Sequence, residues 1–540
     1  MKFLALDCKQ CASKAGALGV QDFVVAGTCG KFPGNVHRDM LSTLSRRSAW
    51  PPLYWADVRT TNGLKSHPFI LPHEWLAAMV RMHGRDSDVF GRNVKAWGSN
   101  VLEHLEATCK ELHIDVATCE PLGLHGDGVP FGSRVWTDDS LECLNLNFPG
   151  FQQRIPVTVM QKTIVIKHET FHDIMNVLKW SLQICATGVF PSVRHDGSPF
   201  GRKESHRAAK SNTPMGCKAL LCEIRGDWAF YKQTFDFPQW NEKSGICWCC
   251  KATPDTYKDC TETAEWKQPA GRLSPDEFHQ KLLEGGNQPS PLFSAPGVSA
   301  KINVQDWLHC ADIGIASDFL GNVLLALVDC KVGGTRESRT ADLWQIVKHK
   351  YAVMNVSDRL EKLVPASFLR EKQSPKLKCK GAIVRHFVPV ANEIVQEQFV
   401  NGTLLQQTIA AAMLQLHLCY ACLEVFDAAA LKKASNKFGL LVVAIEAHVQ
   451  QLNPGTKRWT VKPKLHLFLE MTNFVIQHKG NPRLFWCYRD ETFGGCVRDM
   501  AERRGGKNSA AATASSLLNK YRCTTALPSW PCRSETEQSV

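Results

Sequence analysis

The chain has 540 residues, 44% of them hydrophobic and 21% charged, which excludes a disordered or fibrous protein and asks for roughly three domain-sized units, or one unit with a large insertion. A formal net charge of +12 and a pI of about 8.8 suit a polyanionic partner without requiring one. Met1-Lys-Phe-Leu-Ala-Leu is cut off by Asp7 before a secretory apolar core forms, and no apolar run approaches the ~18 residues that span a bilayer.

The longest apolar candidate, Thr408 to Phe426, is interrupted by Gln415, His417 and Glu424 and reads as a buried helix. The expectation is an intracellular protein with no membrane contact, nuclear if its partner is DNA. Its 22 cysteines are then reduced, and clustered ones serve as core residues or metal ligands rather than disulfides.

Residues 1–65 carry weak periodicity and many Gly, Pro and Arg, and irregular structure is expected there. Residues 66–117 read as a helical N-terminal region, with Trp75, Leu76, Met79 and Val80, then Val101, Leu102 and Leu105, at helical spacing. Over 118–245 the texture changes to short strands: Leu122 to His125, ending at Asp127; Leu141 to Phe148, alternating apolar and polar; and Arg154 to Ile166, rich in Val, Ile and Thr. An amphipathic helix over Glu169 to Thr187, closed by Gly188, comes next. A strand from Ala219 to Ile224 then ends just before Gly226-Asp227, and a short helix covers Trp228 to Phe235. That order, βββαβα, begins an α/β RNase H-like mixed sheet. Residues 246–460 interrupt it with a Cys-rich turn, a Pro/Gly/Ser-rich linker and mostly helical text: Asp312–Val328, Leu343–Val353, Val390–Asn401, Thr403–Ala430 and Leu431–Leu452. Residues 461–506 supply a last strand, Arg483 to Tyr488, and a last helix from Glu491 to Arg504. The tail, 507–540, is expected to be disordered.

Asp127, Asp227 and Glu491 each follow or end a strand-like run. Carboxylates gathered from strand ends make a hard, oxygen-rich pocket suited to Mg²⁺ or Mn²⁺ and, through them, to phosphoryl transfer. Taken singly, Asp127 fits a turn and Asp227 a helix cap equally well. Asp490 is an alternative third acid and a natural N-cap for the last helix. Cys247 and Cys250 have the spacing that lets one turn present two thiolates to Zn²⁺. His466 and Glu470 stand four apart on a predicted helix and so face one way; Cys249, Cys260, His309 and Cys310 are alternative ligands.

Four patches extend this picture. Asp127-Gly-Val-Pro-Phe, Phe235-Asp-Phe-Pro-Gln-Trp through Cys247-Trp-Cys-Cys, Leu308-His-Cys-Ala-Asp-Ile-Gly, and Pro463-Lys-Leu-His-Leu-Phe followed by Phe485-Trp-Cys-Tyr-Arg-Asp-Glu occur in this order. In order and approximate spacing they resemble the DDE/D DNA transposases of the CACTA and Plavaka group, whose RNase H-like core is split by a helical insertion. The resemblance covers about Leu122 to Gly506. It implies two Mg²⁺ or Mn²⁺ ions bridged by Asp127, Asp227 and Glu491, with Glu491 preferred over Asp490 as the third acid. It also implies a structural zinc site from Cys247, Cys250, His466 and Glu470, Glu470 standing where the family has a second His. His309 and Asp312 would lie near the active site, whereas Ile315 replaces a family His. The implied partners are transposon-end and target DNA, and a homodimer is compatible. Arg498, Arg503, Arg504 and Lys507 are the candidate phosphate contacts. The alternatives are a transposon-derived DNA-binding protein without strand chemistry, or a zinc-stabilised hydrolase using two of the carboxylates as acid and base.

Overall fold

A computed structural model describes residues 50–83, 99–130, 140–148, 151–243, 245–286, 288–475, 480–502 and 509–524, together with Asp39, Ser42 and Ser48. Every cysteine among the described residues is a free thiol.

The first element corrects the sequence expectation. Strands β1 (Tyr54–Thr60) and β2 (Gly63–Phe69) form an antiparallel hairpin inside the segment expected to be irregular. Tyr54, Ala56, Val58 and Thr60 are buried in strict alternation, so one face of β1 is core, as a half-buried strand requires. The hairpin docks through Ile70 N–H to Val157 O (2.8 Å) and through the Thr158 hydroxyl, which donates to Pro68 O (2.9 Å). Helices α1 (Pro72–His83) and α2 (Ser99–Glu111) follow, as the spacing of Trp75, Leu76, Val101 and Leu105 predicts. Residues 1–38 lie outside the described residues.

A four-stranded mixed sheet holds the centre. Its strands are β3 (Cys119–Pro130), β4 (Ser140–Phe148), β5 (Phe151–Gln161) and β6 (Lys218–Gly226), in the order β5-β4-β3-β6. The first three are antiparallel neighbours and β6 joins β3 in parallel. Helix α3 (Glu169–Thr187) makes the crossover between β5 and β6 and ends at Gly188, whose φ of 70° is the left-handed cap that glycine favours. Helix α4 (Trp228–Phe235) leaves β6 at once. The boundaries of α3 and α4 match the sequence expectation residue for residue.

No fifth strand forms at Arg483 to Tyr488; that stretch is a tight turn over Pro482–Leu484 running into a helix. Instead Asn303 lies beside Ile224 as a single parallel bridge, and Val304 N–H donates to Ile224 O (3.0 Å). The segment just before the insertion's helices thus flanks β6.

After α5 (Pro275–Glu284) the insertion is helical: a wide-turned segment, Leu308–Ala316, then α6 (Ser317–Asp329), α7 (Arg336–Val353), α8 (Gly381–Phe399), α9 (Leu404–Glu424) and α10 (Ala428–Leu452). Among the described residues, Leu308–Asp329 is the one helical stretch long and apolar enough to cross a membrane, and 83% of its apolar window is buried inside the fold. The chain returns to the sheet through α11 (Lys464–Glu470) and α12 (Tyr488–Glu502).

A last helix, α13 (Ala510–Thr524), stands where a disordered tail was expected. It buries Leu517 and Leu518, and the Tyr521 hydroxyl donates to Arg154 O in β5 (2.5 Å). Residues 525–540 lie outside the described residues.

Candidate active site

The register of β3 and β6 builds the site. Gly126 and Gly226 are direct partners across the parallel pair, and a Cβ on either would fall inside the Phe230 ring of α4. Only glycine lets that ring cross the strand ends so closely. Asp127 and Asp227 are the next residues along adjacent strands, which lie roughly 4.8 Å apart. Two remote acids are thereby made neighbours by backbone alone.

Helix α12 brings the third. His125, Asp127 and Val129 share one face of β3 by the two-residue alternation of a strand. Gly494 of α12 packs there, a Cβ on it reaching to 3.1 Å from Val129 Cγ2. Glu491, one turn earlier on α12, comes close enough for its charge to act on Asp127. Burial first, then the charges of Glu491 and Asp227, push the Asp127 carboxyl up to about 7. Burial also raises Glu491, with Asp306, Asp227 and Asp490 adding to it and His309 opposing. Glu491 Oε1 is buried without a hydrogen-bond partner. The Asp227 cap expected from sequence is real, Oδ1 accepting from Phe230 N–H at 2.7 Å; it occupies one oxygen and leaves the other without a hydrogen bond among the described residues.

Asp490 is not part of this group. It is 1% exposed, inside the first turn of α12 rather than capping it, and its carboxylate is engaged by basic and amide side chains of the sheet. Arg154 donates to its Oδ1, Asn147 Nδ2 does so at 3.3 Å, and Arg225 Nη1 lies 3.5 Å from Oδ2. Burial works to raise its carboxyl, but His125, Arg154 and Arg225 outweigh it and hold it at about 2. Asp490 therefore pins α12 to the sheet, and so sets the position of Glu491.

His309 lies in the site and Asp312 does not. His309 Nε2 is 3.5 Å from Glu491 Oε1, and its Nδ1 is 2.6 Å from Asp306 Oδ2. Burial works to lower its pKa, yet Asp306, Glu491 and Asp227 raise it to about 9. Asp306 is the residue the sequence reading missed. It is fully buried and accepts from the backbone N–H groups of Leu308 (3.2 Å), His309 (3.0 Å) and Cys487 (2.8 Å) as well as from the imidazole. Asp306, His309 and Cys487 bring their donor atoms within 4.8 Å of one another, but Asp306 is already saturated by these N–H groups, so the trio acts as a brace. The visible signal was Asp306 three residues before His309, a helix-start pattern. Asp312 points elsewhere, accepting from Tyr420 Oη and Tyr488 Oη at 2.6 Å each, and burial raises it to about 7. It ties the insertion to the first residue of α12.

The kink that separates His309 from α6 is at Gly314 (φ −94°, ψ −110°). A Cβ there would meet His309 O at 2.7 Å and Lys464 Cδ at 3.2 Å. Carbonyls released by the kink are taken by lysines, His309 O by Lys464 Nζ (3.0 Å) and Ile313 O by Lys376 Nζ (2.7 Å). Departures from α-helical winding often mark functional segments.

A second group lies deeper. Cys247, Cys250, His466 and Glu470 are all buried, with their donor atoms within 4.8 Å of one another. Cys250 Sγ is 3.3 Å from His466 Nε2. Burial lowers His466 to about 4, so the ring is neutral and can ligate a metal. Glu470 is also gripped at both oxygens by Arg272, with Nη1 to Oε2 at 2.8 Å. Cys249 sits outside the group, its Sγ accepting from Gln305 Nε2 at 3.6 Å.

No family model matches the chain, and no curated protein is significantly similar to it. Of the candidate phosphate contacts, Arg498 is exposed on α12 and pairs with Asp499 (3.3 Å); Arg503, Arg504 and Lys507 lie outside the described residues.

Proposed function

We propose that the chain is a DNA transposase or recombinase of the DDE type, cutting and joining strands by metal-dependent phosphoryl transfer on an RNase H-like core. The observation that carries this reading is that the register of β3 and β6 sets Asp127 beside Asp227 and that Glu491 comes within reach of both charges, although these three carboxylates are not drawn within 4.8 Å of one another as the Cys247, Cys250, His466 and Glu470 donors are. The β5-β4-β3-β6 order, with an extended segment flanking β6, supports the RNase H-like assignment.

The chemistry of the donor set, three carboxylates, suits a divalent cation. Burial and the charges of Glu491 and Asp227 raise the Asp127 carboxyl, burial raises that of Glu491, and Glu491 Oε1 makes no hydrogen bond, its neighbour being the His309 imidazole at 3.5 Å. Mg²⁺ or Mn²⁺ bound there would supply Lewis acidity to the attacking and leaving oxygens of a phosphodiester. The chain's own part is positioning and charge. Asp227, fixed by the Phe230 N–H, presents one free oxygen. Asp490, locked to Arg154, holds Glu491 at the cleft. His309, braced by Asp306, places a positive charge against Glu491, where it partly offsets the acids and orients that carboxylate.

The buried Cys247, Cys250, His466, Glu470 group is assigned to structural Zn²⁺, tying the Cys-rich turn to α11 and closing the insertion onto the core. With DNA as the proposed substrate, the nucleus is the compartment we infer for it. The test is nicking of DNA in Mg²⁺ or Mn²⁺. Wild type cuts; Asp127→Ala and Asp227→Ala do not, while Asp312→Asn, outside the cleft, still does. Equal cutting by all four proteins would refute the assignment.

A further inference from the structure

Beside the acids lies a cleft of about 260 Å³, lined by Asp227, Trp228, Trp240, His309 and Lys464 among others. Next to it is a wider hollow of about 740 Å³, lined by Trp240, Lys243, Tyr257 and Lys462. Trp240 belongs to both. Its indole is 56% exposed, where the neighbouring Trp248 is 2% exposed, and no ring stacks on it among the described residues.

An exposed tryptophan on a loose loop would be ordinary. This one stands on a braced turn. Trp228 Nε1 donates to Pro238 O (2.8 Å), Gln239 N–H donates to Glu242 Oε1 (2.9 Å), and Lys232 Nζ holds that same oxygen (2.9 Å). Phe237, fully buried, packs with Trp248 and Phe293 beneath. The backbone turn that carries Trp240 is thus braced on both sides. Around it the charges are mixed: Lys243 and Lys462 face Asp255 in the hollow, and Lys464 and His309 face Asp227 and Asp306 in the cleft. Lys462 pairs with Asp318 at 2.6 Å and Lys464 holds His309 O at 3.0 Å, which leaves Lys243 as the lysine beside Trp240 with no ion pair among the described residues.

We propose that this path from the acids across Trp240 into the hollow is a track for an unpaired DNA strand, one base stacking on the indole and the phosphates following Lys464, Lys462 and Lys243. The cleft is small for a paired duplex. An aromatic platform flanked by lysines is what sequence-tolerant single-strand binding uses. The proposal rests on the phosphoryl-transfer reading of the same site, since that reading names DNA as the polyanion.

The experiment measures anisotropy of a labelled oligo-dT on the full chain in EDTA, so that strand chemistry plays no part. Trp240→Ala is expected to weaken oligo-dT binding roughly tenfold, the effect of one lost stack, while Trp240→Phe stays within about twofold and duplex binding of the same length is unchanged. Lys462→Gln should lower the slope of log affinity against log salt by about 0.7, one phosphate on a single strand. Binding by Trp240→Ala equal to wild type, an equal loss for duplex and single strand, or no oligo-dT binding by the wild type overturns the track. Metal-dependent nicking that survives such a result leaves the functional reading standing. Conversely, Trp240-dependent strand binding with no nicking under any divalent ion refutes the enzyme but keeps the track.

Discussion

The two clusters of candidate ligands differ in a way that separates their roles. Cys247, Cys250, His466 and Glu470 are closed from solvent, and Glu470 already has Arg272 on both oxygens. Asp127, Asp227 and Glu491 are half-buried, the Asp127 carboxyl raised by burial and by the charges of the other two, and Glu491 Oε1 makes no hydrogen bond and faces the His309 imidazole at 3.5 Å. The first is arranged as a lock. The second holds an unfavourable charge arrangement that the proposed cation would relieve, and such arrangements concentrate at functional sites.

The comparison can be broken most severely at the acids. Asp127→Ala or Asp227→Ala should lower DNA cleavage about a thousandfold or more with little change in melting temperature, since loss of a charge-stabilising group in an active site costs on this order. A steady-state nicking assay beside a melting curve checks both halves; a large melting shift with retained cutting would reverse the roles of the two clusters.

The lock should respond the other way. Arg272→Met leaves Glu470 buried without its partner and is expected to destabilise the fold by about 3–5 kcal/mol, as removal of one member of a buried pair does. Urea unfolding measures it, and excess Zn²⁺ should recover part of the loss. Chelation of zinc from the wild type should likewise lower the melting temperature while metal-free oligonucleotide binding at Trp240 persists.

A smaller effect concerns pH. The Asp127 carboxyl is raised to about 7, so the native state holds a proton that the unfolded chain has released above pH ~4. Its contribution to stability therefore falls as pH rises from about 4 through 7, and the penalty is complete above that. Mn²⁺ should raise the melting temperature more at pH 8 than at pH 5. Asp127→Asn in metal-free buffer should be stabilised relative to wild type at pH 8 and equal to it near pH 4.

The smallest expected effect is at the rim. Arg498→Ala should reduce duplex affinity only a fewfold and the salt slope by about 0.9, one phosphate's worth, with cutting chemistry unchanged at saturating DNA.

Much of this was legible from residue order. Apolar residues at helical spacing defined α3, and the Gly226-Asp227 step marked the end of β6 and the start of α4, because local periodicity and punctuation decide such elements. The β1–β2 hairpin was missed although Tyr54, Ala56, Val58 and Thr60 alternate and Asn62-Gly63 signals a turn; abundant Gly and Pro nearby obscured it. Helix α13 was missed because Ser and Ala give weak apolar contrast, and only its docking on β5 makes Leu517, Leu518 and Tyr521 core. The absent fifth strand reflects tertiary pairing: Phe485 and Cys487 are buried as a strand would bury them, but Asn303 and Val304 occupy the place beside β6. The partners of Asp490, and the bond from Cys487 N–H to Asp306, were beyond the sequence for a similar reason. Whether an acid faces Arg154, a backbone turn or open cleft depends on where α12 crosses β3, which no local pattern records.

The most direct test of the central claim is iron-mediated cleavage of the polypeptide. Fe²⁺ exchanged into a divalent-cation site generates hydroxyl radicals that cut nearby backbone, and the fragments map the site. The account predicts breaks beside Asp127, Asp227 and Glu491 together, suppressed by Mg²⁺ and absent in Asp127→Ala. Breaks confined to one of these three segments, or confined to the Cys247–Cys250 turn and α11, would contradict it.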